Sequence, residues 1–77
     1  MEHENTYQEN VLTIIDLMNK VNTLEFSSEE KEEFTNSMIQ DDELMACLIS
    51  KSKMSIEVQE RFIERLRKLV GEDVVLN

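Results

Sequence analysis

Few side chains in this sequence could do chemistry. There is one histidine, His3, one cysteine, Cys47, and two blocks of acids, Glu29-Glu30-Lys31-Glu32-Glu33 and Asp41-Asp42-Glu43. General acid–base and nucleophilic catalysis both need a base held against a reacting group in a pocket. His3 lies near one end, and Cys47 sits inside the run Leu44-Met45-Ala46-Cys47-Leu48-Ile49, where a thiol is normally an inert core residue. With a single glycine, the chain has no glycine-rich loop for phosphate. No enzymatic activity and no cofactor is expected. Nor is a metal: a calcium loop starting at Asp41 needs glycine at its sixth position, and that position is Ala46.

The acids have another use. Glu29, Glu30, Glu32, Glu33, Asp41, Asp42 and Glu43 are the candidate partner-binding acidic surface. One reading is compensation of helix N-termini together with solubility. The sharper reading is a carboxylate array that imitates the phosphates of nucleic acid and occupies a basic groove on a DNA-binding protein. Charge is unevenly placed along the chain. Residues 1–50 hold twelve acids against Lys20 and Lys31, whereas residues 51–77 are almost balanced, within a net charge of −9. Direct binding to nucleic acid or to an anionic membrane is disfavoured, and self-complementary packing or a basic partner protein is favoured. Arg61, Arg65 and Lys68 form a basic stripe at i, i+4 and i+7; they read either as a site for an acidic partner or as members of the i,i+4 pairs Glu57–Arg61 and Glu64–Lys68.

Helices must position these groups. Over residues 55–70, Ile56, Val58, Phe62, Ile63, Leu66, Leu69 and Val70 share an arc of about 160°, with Gln59 among them and Glu57, Glu60, Arg61, Glu64, Arg65, Arg67 and Lys68 opposite. Ser55 is the expected N-cap and Gly71 the left-handed C-terminal residue. Phe62, Leu66 and Leu69 are the candidate core or oligomer face. A buried Gln59 needs a hydrogen-bond partner, and pairing across a two-fold axis is one solution.

A helix over about 7–23 is expected from Tyr7, Val11, Ile14, Ile15, Leu17, Met18, Val21 and Leu24, opened by a Thr6–Glu9 capping box. So broad an apolar face calls for two neighbours. Ser27 and Glu30 form a second capping box, opening a largely solvated helix over 28–39 whose apolar positions are Phe34, Met38 and Ile39. Asp41-Asp42-Glu43 opens a third over 42–52, apolar all round and therefore central; one unbroken helix over 28–52 is the alternative.

The expectation is a single all-α domain over 1–77, a small four-helix bundle-like fold with flexible ends at 1–5 and 72–77. A chain this small without staples is expected to dimerise. The acidic N-terminal stretch and the lack of a long apolar window point to a cytoplasmic protein that does not span a membrane. Its expected role is that of a non-catalytic protein–protein interaction module: a regulator, inhibitor or adaptor, of a size and acidity common among phage and mobile-element proteins. The alternatives are a nucleic-acid mimic that blocks a DNA-binding protein, and a structural homo-oligomer.

Overall fold

The computed structural model describes residues 2–71, with side chains from Asn5 onward. The architecture is all-helical and bundle-like: α1 spans Glu2–Thr23, α2 Ser28–Ile39, α3 Asp42–Ser50 and α4 Ile56–Val70. No strand forms among the described residues.

The caps carry out what the residue types suggest. Ser27 Oγ accepts from the Glu30 amide at 3.1 Å while the Ser27 amide donates to Glu30 Oε1 at 2.9 Å, a complete capping box. Ser55 Oγ accepts from the Val58 amide at 3.2 Å. Gly71, at φ +85°, ends α4 in the left-handed region. Between α2 and α3 the helix breaks at Gln40–Asp41, so the single helix over 28–52 does not form. Asp41 causes the break: its extended backbone (φ −96°, ψ 93°) lets its carboxylate cap α3 through the Leu44 amide at 3.1 Å. At the far end α3 stops short of 52, because Lys51 adopts φ +59°.

The start of α1 differs from the expected one. The helix runs back to Glu2 and takes Thr6 into its interior. Nothing between 2 and 6 stops it, since the segment has neither proline nor glycine and an internal threonine costs only a few tenths of a kcal/mol. Of the expected flexible ends, 72–77 lie outside the described residues.

The core consists of Leu17 from α1, Leu44 from α3, and Val58, Phe62, Ile63 and Leu66 from α4. Four of these six belong to α4, which is the one helix in contact with all the others. The backbone of α1 lies close to that of α4 alone, although Leu17 shares the core with Leu44 of α3. Leu17 is 1% exposed, yet Ile15 and Met18 are about half exposed and Leu12 is 66% exposed. The cross-contacts Asn10–Gln59 and Tyr7–Lys53 join the N-terminal ends of the two segments, so α1 and α4 begin at the same end of the molecule.

α3 departs furthest from expectation. It is apolar all round but not central: Leu44 is its single buried side chain, while Leu48 and Ile49 are exposed. The reason is thickness. The molecule is 21 Å across its shortest axis, room for two helical layers at roughly 10 Å each, so no third layer covers the outer side. For the same reason Cys47 is half-buried and lies outside the core, its Sγ 3.7 Å from the Lys53 carbonyl. Ile39, expected among the apolar contacts of α2, is exposed as well.

Candidate interaction surfaces

The best-defined polar feature is a cluster around Asp41. Arg61 Nε donates to Asp41 Oδ2 at 2.8 Å and Arg61 Nη2 to Asp41 Oδ1 at 3.2 Å, a two-pronged grip on one carboxylate. Nη2 of the same guanidinium also donates to Glu43 Oε1 at 2.9 Å. One turn on, Arg65 Nη1 stands 3.2 Å from Asp41 Oδ2, and Arg65 Nε donates to the Ser37 carbonyl at 3.2 Å. A single carboxylate thereby joins the end of α2, the start of α3 and the middle of α4. The Arg61 guanidinium, against the cost of burial, holds the Asp41 carboxyl at about 2, below its usual 3.8; the Leu44 amide and Arg65 act in the same direction. Asp41 and Glu43 in turn push Arg61 further toward its charged form.

This cluster corrects two expectations. Asp41, placed with the acidic surface, is buried, with 7% of its side chain exposed. Arg61 does not pair with Glu57: Arg61 and Arg65 reach α2, α3 and the Asp41 between them within their own chain. The residue types could have suggested a cap–arginine pair, but Asp41 and Arg61 stand twenty positions apart and no local spacing connects them.

The remaining candidate acids are exposed: Glu29, Glu30, Glu32 and Glu33 on α2, and Asp42 and Glu43 on α3. Glu30 and Glu33 also border an open cleft of about 760 Å³ between α2 and α4, with Phe34, Arg65, Lys68 and Leu69 among its walls. Of the candidate core or oligomer face, Phe62 and Leu66 belong to the core and Leu69 is half-buried at this cleft. Gln59, 2% exposed, accepts from Asn10 Nδ2 at 3.1 Å, so its partner comes from α1 and not from across a two-fold axis. No buried side-chain nitrogen or oxygen among the described residues lacks a partner.

Among the described residues no cluster of histidine, cysteine and carboxylate side chains could hold a metal ion, and no helix is long and apolar enough to cross a membrane. Among the described residues, the large exposed apolar side chains are Leu12, Ile15 and Met18 on α1, Leu48 and Ile49 on α3, Leu24 just past α1 and Ile39 at the end of α2. Sequence reading put Ile15 and Met18 on the apolar face of α1 and left Leu12 outside that arc, on the polar flank; it missed the α3 set, because a continuous apolar run carries no periodicity to show which side faces out. The chain matches no known protein-family model, no curated protein and no solved structure.

Proposed function

We propose that this protein is a non-catalytic interaction module, a regulator, inhibitor or adaptor that presents α3 and the acidic side of α2 to a basic partner protein. One observation carries the reading. The most apolar helix of the chain buries a single residue, Leu44, and leaves Leu48 39% and Ile49 74% exposed. Neighbouring apolar side chains held out on a fixed helix are worth more in a complex than in water. The glutamates of α2 support the same reading. Arg61 and Arg65, which line the cleft beside Glu30 and Glu33, are engaged at Asp41, and the run Glu29–Glu33 holds four acids against Lys31, a net negative field that would steer a cationic partner.

The test compares the tagged full chain with Leu48→Asp/Ile49→Asp in lysate of the cells that produce it, after circular dichroism has shown equal helicity. Specific proteins recovered by the parent chain should fall roughly tenfold or more with the double variant. Equal recovery by both, or no recovery above a control chain, contradicts the reading. Phosphate mimicry makes a different forecast: the target would be a nucleic-acid-binding protein, lost steeply as salt rises and lost with Glu29→Lys/Glu33→Lys, and insensitive to the α3 changes.

A further inference from the structure

We infer that the cleft between α2 and α4 receives a segment of the partner protein that carries lysine or arginine beside an apolar side chain; this deepens the reading above and shares with it only the premise of a basic partner. The cleft is open and about 760 Å³ in volume, inside the range of roughly 300 to 1,000 Å³ over which ligand sites fall. Phe34 of α2 and Leu69 of α4 are half-buried at its walls, so each offers apolar surface to an occupant. Along α4 the lining runs from Arg61 to Leu69, about 12 Å of helix axis, which matches roughly three or four residues of extended chain.

Charge selects that occupant. Three acids, Glu30, Glu33 and Glu64, and three bases, Arg61, Arg65 and Lys68, border the cleft. Two of the bases are already neutralised, because Asp41 lies against both Arg61 and Arg65, and Glu43 against Arg61. Those two acids and two arginines cancel, which leaves three acids against Lys68, a net of −2. Glu33 stands on one helix and Glu64 on the other, and among the described residues neither makes a salt bridge or a side-chain hydrogen bond. An anionic segment would add to this charge, and a neutral one would take the carboxylates out of water without pairing them. A cation beside Glu33 and Glu64 does pair them, while its apolar neighbour covers Phe34 and Leu69. The tail after Gly71 opens with Glu72-Asp73 and the chain as a whole carries −9, so neither the tail nor a second copy matches the cleft in charge.

Titration of the isotope-labelled full chain with the peptide acetyl-Leu-Lys-Leu-Lys-amide, followed by NMR, tests the inference. The expected result is saturable binding in the millimolar range, with the largest shifts at the amides of Glu33, Phe34, Glu64 and Leu69, and none by acetyl-Leu-Glu-Leu-Glu-amide. Glu33→Gln/Glu64→Gln should weaken the affinity roughly tenfold; Glu30 is left in place because it closes the Ser27 capping box. Glu29→Gln/Glu32→Gln removes the same charge outside the cleft and should change the affinity by less than about twofold. All four carboxylates are exposed, so circular dichroism should find every variant as helical as the parent chain. Leu48→Asp/Ile49→Asp should leave the binding in place, so this titration and the lysate comparison can fail separately. No saturable binding, equal binding of the acidic peptide, or equal weakening by the two glutamine pairs would overturn the inference.

Discussion

Asp41 does three jobs with one carboxylate. It caps α3, it anchors Arg61 by two hydrogen bonds, and it draws Arg65 to the end of α2. Replacement by asparagine keeps the cap and removes the charge, whereas alanine removes both. Asp41→Ala is expected to cost about 2–4 kcal/mol, since it strips a cap, leaves the partly buried Arg65 without its counter-ion and leaves Arg61 with the exposed Glu43 alone. Asp41→Asn should cost clearly less. The pH dependence follows from the carboxyl's being held at about 2 against 3.8 when unfolded. The unfolded chain takes up this proton first as pH falls, so the group's contribution is complete above about 3.8 and is lost as pH drops toward 2. Urea unfolding at a series of pH values should show that loss in the parent chain and a flatter profile in Asp41→Asn. From the sequence, the cap at Asp41 was legible because its signal lies within three residues. The arginine grip was not, because it depends on how α4 crosses the α2–α3 corner. Gln59 shows the same division: its need for a partner was readable, and the identity of Asn10 was not.

At the scale of elements, helix ends were the most legible feature. Ser27, Ser55 and Gly71 act as their types dictate, and four helices form close to where periodicity and caps put them. Two ends escaped that reading for opposite reasons. The Thr6–Glu9 box was overridden because the chain before it is free to remain helical, and Lys51 ends α3 in a conformation its side chain does not favour. The two left-handed ends therefore give opposite forecasts. Lys51→Gly should stabilise by about 0.5–1 kcal/mol, since φ +59° strains any residue with a Cβ. Gly71→Ala should lose about 1 kcal/mol; a Cβ there meets nothing within 4 Å, so the loss is one of backbone conformation and not of packing. Thermal unfolding of the two variants beside the parent chain checks both signs, each being worth several degrees in a domain of this size.

For the molecule as a whole, α4 is the common support, as its two-sided pattern foretold. What the pattern could not foretell is how few neighbours the chain supplies. The segments outside α4 make a structure about two helices thick, which covers one side of α1 and one side of α3 and no more. An apolar run such as Leu44–Ile49 looks central in sequence because hydrophobicity reports a preference for burial and does not report whether a cover exists. The exposed apolar side chains of α1 and α3 are the consequence of that shortage, whereas Phe62 and Leu66, read from sequence as a core or oligomer face, serve as core.

Native-state amide hydrogen exchange on the full chain tests this arrangement most directly. If α4 is the common support and α3 lies at the surface, the slowest amides are those of Phe62–Leu66, exchanging only on global unfolding, and those of Ala46–Ile49 open earlier through local fluctuations. Protection in α3 equal to that in α4, or amides in the middle of α4 exchanging as fast as those of α2, would contradict the account.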